Sequence, residues 1–235
     1  MIISTPVESF GYLAGRFFKK PIINSWINKK IEKFNLEVLG KGYIKNIDKT
    51  CVFVCNHVEP KDLGLLKSGI SPDSFIINKA IFETTGREVS LVINYLLGLP
   101  LFLKLPLEIY TRGFIKGIGF VPVGKGKKDF HKVFLKQVEK AVSKKQPILI
   151  YPTGTRDYDF YGTEGLKAGA AYIALKYQLP IIPTYIKGSY YWNKPGQKIS
   201  LVFGKPFAAK GSIDEINEKI KKEILKSKES ISSSL

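Results

Sequence analysis

The chain is poor in the residues that build disulfides and metal sites, with two cysteines, two histidines and one methionine among 235 residues. Both cysteines lie in the apolar run Cys51-Val52-Phe53-Val54-Cys55. On a strand they would share a face but stand roughly 13 Å apart, beyond disulfide reach. Two buried thiols in a reducing compartment are therefore expected. Two cysteines and two scattered histidines do not make a zinc set, so no metal is expected. No run of eighteen uncharged apolar residues occurs, which argues against a conventional spanning helix. The N-terminus lacks the basic, apolar and small-residue order of a signal peptide, so no leader is expected. Acidic residues are also scarce: twenty Asp and Glu face thirty-seven Lys and Arg, a formal charge of +17. That imbalance predicts an anionic partner, and nucleic acid, an anionic bilayer or a phosphorylated substrate all satisfy it. Solvated surface lysines account for the same number without any partner.

Apolar residues, by contrast, are plentiful at 44%, and aromatics reach 12%, enough to bury the core of one domain. Residues 6–34 read as helical, with Val7, Phe10, Ala14, Phe17 and Phe18 at helical spacing. Lysines 19, 20, 29, 30 and 33 interleave there with Phe17, Phe18, Trp26 and Phe34, a pattern that suits a bilayer interface. Packing against the chain's own core explains the same stripe.

Strand-like and helix-like runs then alternate. Residues 51–56, 75–77, 119–123, 147–152, 181–186 and 199–203 read as strands. Residues 129–145, 165–178 and 212–226 read as helices. Alternation of this kind implies an α/β fold, a mostly parallel sheet flanked by helices, here with an N-terminal amphipathic helical element. The expected division is a membrane-associating helical element over 1–35, one α/β domain over 36–226 and a frayed Ser-rich tail over 227–235. The apolar segment 91–107, broken by Gly98, Pro100 and Pro106, is too short to span. It fits a dip into one leaflet, an acyl tunnel, or a core helix followed by a buried loop.

Two places carry chemistry. Asn56-His57-Val58-Glu59-Pro60-Lys61-Asp62 follows a buried strand, where open α/β sheets gather their ligands. An imidazole accepts a proton near neutral pH, and a carboxylate on its other nitrogen fixes the tautomer and stabilises the imidazolium. A separation of five residues lets Asp62 fold back onto His57, giving the base and orienter of a triad without the nucleophile. A His that caps the following helix explains the spacing too. The second place is Tyr151-Pro152-Thr153-Gly154-Thr155-Arg156, also at a strand end. Gly154 permits a tight turn, Thr155 supplies a hydroxyl and Arg156 a bidentate fork for phosphate. An ordinary Pro-Gly loop with a surface arginine is the plainer reading. Downstream, Lys167 stands near the start of a helix of small residues and reinforces its positive end.

These residues together resemble the lysophosphatidate and glycerol-phosphate acyltransferase family, whose signature is Asn-His-x-x-x-x-Asp followed later by Phe-Pro-Glu-Gly-Thr-Arg. Asn56, His57 and Asp62 match the first element; Pro152, Gly154, Thr155 and Arg156 match the second, with Tyr151 replacing the aromatic. Helix 165–178 and Leu179-Pro180-Ile181-Ile182-Pro183 resemble the later blocks, and the similarity covers roughly residues 36–205. Two departures stand out. The motif glutamate is Thr153, for which Glu59 or Glu164 are possible substitutes. The arginine of the intermediate block is replaced in Val121-Pro122-Val123-Gly124-Lys125-Gly126-Lys127-Lys128, where Lys125 or Lys127 would carry the charge, less directionally than arginine.

The resemblance implies an O-acyltransferase moving a fatty acyl chain from an acyl thioester, acyl-CoA or acyl carrier protein, to the hydroxyl of 1-acyl-glycerol-3-phosphate in phospholipid synthesis. His57 and Asp62 would be catalytic. Thr153, Gly154, Thr155, Arg156, Lys125 and Lys167 would bind substrate. Glycerol 3-phosphate or another lysolipid is the alternative acceptor, and a catalytically silent membrane-binding relative the alternative protein. The thioester is a co-substrate and no cofactor is expected. The expected partners are an anionic membrane surface and a lysophospholipid, with no nucleic acid, and the expected place is the cytoplasmic face of a membrane.

Overall fold

The computed structural model describes residues 6–18, 24–58, 72–94, 109–110, 112–113, 116–117, 121–123, 130–155, 159–162, 165–191 and 194–232. In chain order the elements are α1 (Pro6–Phe18), α2 (Asn24–Ile31), β1 (Asn35–Leu39), β2 (Val52–Cys55), α3 (Pro72–Thr85) and β3 (Ser90–Asn94). There follow β4 (Val121–Val123), α4 (Phe130–Ser143), β5 (Ile148–Ile150), α5 (Gly169–Lys176), β6 (Pro180–Lys187), β7 (Lys198–Phe203), β8 (Phe207–Ala208) and α6 (Ile213–Ser232).

The eight strands form one sheet in the order β1-β7-β6-β2-β5-β3-β4, with β8 beside β6. Neighbours are parallel except where β7 and β8 run back along β6. The mostly parallel α/β expectation is borne out. β2 sits between β5 and β6 and is buried on both faces, which is why Cys51–Cys55 is a continuous apolar run rather than an alternating one. Its side chains still point alternately. Val52 and Val54 enter a core with Phe134 and Val138 of α4, Ile173 of α5 and Ile216, Ile220 and Ile224 of α6. Phe53 and Cys55 enter the opposite core with Ile76, Ile77 and Ile81 of α3 and with Ile31. Helices therefore cover both faces. Cys51 and Cys55 share the second core as free, buried thiols, and burial pushes the Cys51 thiol up to about 12.

Four expectations are corrected. Residues 75–77 lie inside α3, not in a strand. The short apolar run Phe75-Ile76-Ile77 is ambiguous by itself. Pro72 at the helix start, together with Ile76, Ile77, Ala80 and Ile81 on one buried face, decides for helix. The segment 91–107 begins as strand, since residues 91–94 belong to β3; its remainder lies outside the described residues. The tail is not frayed from 227: α6 runs to Ser232, with Ser227 and Ile231 buried. The N-terminal boundary at 35 also cuts through packing, because Ile31 and Phe34 lie in the core.

Ile231→Ala should therefore cost about 2–4 kcal/mol, the usual loss for emptying a buried isoleucine site. Urea unfolding measures it. A change within about 0.5 kcal/mol, as for an exposed frayed end, would contradict the packed tail.

Candidate active site

The sheet brings the C-terminal ends of parallel β2 and β5 side by side, through the pairs Val52 with Ile148 and Val54 with Ile150. Both sequence motifs leave the sheet there. Where backbone pairing between β2 and β6 ends, at Cys55 opposite Thr184, the Asn56 side chain continues it. Asn56 Nδ2 donates to the Ile186 carbonyl at 2.9 Å, and Asn56 Oδ1 accepts from the Ile186 amide at 2.8 Å. A buried side-chain amide thus fixes where the chain turns out of the sheet, and so where His57 stands.

His57 does meet a carboxylate, and among the described residues it is Asp73, in the first turn of α3. His57 Nδ1 lies 2.8 Å from Asp73 Oδ2, with the His57 side chain 15% exposed and the Asp73 side chain 0%. The same Oδ2 accepts from the Val58 amide at 3.0 Å. Oδ1 accepts from the Ser74 amide at 2.7 Å, and the Ser74 hydroxyl lies 3.4 Å from it. A carboxylate surrounded by donors accepts from the imidazole as well. Nδ1 therefore carries the ring proton and Nε2 becomes the proton-accepting nitrogen. A histidine on a buried carboxylate can serve as base and orienter; here the carboxylate comes from sixteen residues downstream, where the sequence pointed to Asp62. Asp62, together with Glu59, lies outside the described residues.

Tyr151 closes the other side of the imidazole. The two rings are stacked, with centroids 3.8 Å apart and planes 11° from parallel. The Tyr151 hydroxyl lies 2.7 Å from Ser74 Oγ. Burial, reinforced by the Asp73 charge, pushes the phenol well above its ordinary value, so Tyr151 is neutral near pH 7. Burial likewise raises the Cys55 thiol, which keeps it from acting as a nucleophile. Neither Asp73 nor Ser74 was found from the sequence; the signal available was Pro-Asp-Ser opening an apolar helical face.

Beyond Tyr151 the chain makes the expected tight turn. Gly154 has φ +67°, the left-handed region that favours glycine, and its amide donates to the Tyr151 carbonyl at 3.2 Å. Thr153 Oγ1 donates to the Thr155 carbonyl at 2.9 Å, closing the turn with its own side chain. Lys167 is brought to the same place: its amide donates to the Pro152 carbonyl at 2.7 Å. Its Cγ lies 3.7 Å from where a Cβ on Gly154 would sit. The helix α5 begins at Gly169 rather than 165, so exposed Lys167 precedes it. Thr153, Gly154, Thr155 and Lys167 are thus together, two to four residues from the ring that stacks on His57 in the case of the turn. Arg156, Lys125 and Glu164 lie outside the described residues.

Asp159, four residues beyond Thr155, is held by several partners. Its Oδ1 accepts from the Tyr185 hydroxyl at 2.6 Å and the Phe160 amide at 2.7 Å, and Lys228 of α6 reaches Oδ2 at 2.9 Å. Partial burial opposes the charge on Asp159, but these hydrogen bonds outweigh it and hold the carboxyl below its ordinary value.

Residues 106–187 match the sequence model of the acyltransferase family. That segment contains the Thr153–Thr155 turn and Lys167, and His57 precedes it. The fold is similar to that of the crystal structure of the 1-acyl-sn-glycerophosphate acyltransferase PlsC from Thermotoga maritima, with a TM-score of 0.54 and 19% sequence identity. The similarity covers 95% of this chain and 77% of that one. No curated protein matches the sequence. The first finding agrees with the acyltransferase resemblance over residues 106–187, and the second shows a shared α/β fold.

Asn56→Ala should destabilise the protein by about 2–4 kcal/mol, since it leaves a buried amide and carbonyl of Ile186 unsatisfied. Denaturant titration reads the loss. A neutral substitution would mean that β6 does not hold the exit of β2.

Proposed function

We propose that the chain transfers a fatty acyl group from a thioester, carried by CoA or an acyl carrier protein, to the free hydroxyl of 1-acyl-glycerol-3-phosphate in phospholipid synthesis. The observation that carries this reading is the His57 imidazole, held through Nδ1 by a buried carboxylate beside the Thr153–Thr155 turn. Nε2 takes the acceptor hydroxyl's proton as the oxygen attacks the thioester carbonyl. The tetrahedral intermediate collapses with loss of the C–S bond, and the thiolate leaves with the proton from His57. Ester and thiol are the products. The attack is direct, because the nearest thiol, Cys55, is fully buried and held protonated. Arg156 and Lys167 are assigned to the acceptor phosphate, with Lys125 as a further cation and the Gly154 turn supplying amide donors.

His57→Ala should lower turnover by roughly 10²–10⁴-fold with the circular dichroism spectrum unchanged, the range for a positioned general base. Near-normal turnover would end the proposal. Asp73→Asn and Asp62→Asn, made separately, then identify the orienting carboxylate. The His57–Asp73 contact supports a loss in Asp73→Asn; the sequence motif supports one in Asp62→Asn.

The acceptor is a lipid, so the site has to work at a bilayer. Among the described residues no helix is long and apolar enough to cross a membrane. Helix α1 supports peripheral attachment instead. Val7, Phe10 and Leu13 recur on one side at 43%, 67% and 63% exposure, so this apolar stripe is not spent on the core. We assign it to the surface of an anionic bilayer, with the basic chain contributing about 1 kcal/mol per lysine near the headgroups. Phe10→Ser with Leu13→Ser should reduce co-sedimentation with anionic vesicles even at high salt, because buried aromatic and aliphatic area is not screened. Undiminished sedimentation of the double variant would remove α1 from this role.

A further inference from the structure

We infer that Tyr151 is a positioning residue for His57, acting through two contacts that a phenylalanine at this place makes only in part. Its ring lies flat on the imidazole at 3.8 Å and 11°. Its hydroxyl reaches Ser74 Oγ at 2.7 Å. Ser74 in turn donates its amide to Asp73 Oδ1 at 2.7 Å, while Asp73 Oδ2 holds His57 Nδ1 at 2.8 Å. The four side chains close a circuit: imidazole to carboxylate, carboxylate to serine, serine to phenol, and phenol ring back onto the imidazole. Stacking fixes the plane of the His57 ring. The hydroxyl fixes Ser74, whose amide and hydroxyl both face the Asp73 carboxylate, and so fixes the atom that sets the tautomer. A base whose nitrogen strays by a fraction of an ångström loses rate out of proportion to the stability involved. Small couplings of this kind also reinforce one another when the groups are desolvated.

This inference rests on the reading of His57 as general base, and its test has a readout that does not. The chain has two histidines, so ¹⁵N-histidine labelling gives two imidazoles, and His131→Gln assigns them. In the full-length protein, with its ring neutral, His57 should show the proton on Nδ1 and none on Nε2. Tyr151→Phe and Ser74→Ala should each move both ¹⁵N shifts toward the average of two exchanging tautomers, while Tyr151→Phe leaves the fold intact. With 1-acyl-glycerol-3-phosphate and palmitoyl-CoA, each should lower kcat roughly three- to tenfold, about the worth of one net hydrogen bond. Both KM values should stay within about twofold. The double variant should lose no more than the worse single one, because the two act in one circuit. Unchanged ¹⁵N shifts in both single variants would overturn the inference, as would fully additive losses. If the shifts respond but His57→Ala still turns over, the circuit stands and the base assignment fails. If His57→Ala is dead and the shifts do not respond, the base stands and the positioning role of Tyr151 is gone.

Discussion

A carboxylate with no exposed surface survives only where donors replace the water it has lost. Asp73 is that carboxylate here, and the site is arranged around its needs. The Val58 amide, the Ser74 amide and the His57 Nδ1 converge on its two oxygens from two separate parts of the chain. Satisfying it ties the end of β2 to the start of α3. A neutral imidazole that gives its Nδ1 proton to Asp73 has Nε2 as its basic nitrogen. Folding and the proton transfer proposed for His57 would thus draw on the same hydrogen bonds.

The sheet supplies the second constraint. Because β2 runs parallel to both β5 and β6, the chain leaves at one end of all three, and the residues just past those ends meet without any loop having to reach far. Asn56 is the joint. Its amide pairs with Ile186 as another strand residue would, and it releases the backbone of the next residue from the sheet. On the neighbouring strand, Tyr151 follows Ile150 directly and its ring lands on His57. The His57 and Tyr151 side chains therefore inherit their spacing from the 4.8 Å or so between parallel strands.

Much of this was legible in the sequence, and the misses have physical causes. β2, β5, β6 and β7 announce themselves as apolar runs at strand length, and α4 and α6 as apolar residues at helical spacing. Phe75-Ile76-Ile77 misled because three apolar residues in a row satisfy either period, and the deciding burial of Ala80 and Ile81 lies a turn further on. The tail misled because serines dominate its composition, whereas the single Ile231, at the core spacing set by Ile220 and Ile224, decides its packing. His57 and the Thr153–Thr155 turn were found as motifs. Asp73 and Ser74 were not, because nothing local to His57 points sixteen residues along the chain. That pairing exists only once α3 has packed on the sheet.

Thr153 shows how a motif position can change its work. In the resemblance a glutamate stands there; here the threonine hydroxyl donates to the Thr155 carbonyl and closes the turn. An ionised carboxylate has no proton to donate and cannot make that bond. The substitution therefore exchanges an acidic group for a self-contained loop, and it removes a negative charge from beside Lys167, whose stem lies against Gly154. Among the described residues, Lys167 and the turn's amides stand at this turn, and both favour an anionic group. The acceptor proposed above, held by its phosphate, would suit such a turn, because a threonine and a glycine offer glycerol hydroxyls few of the partners that an acid would supply.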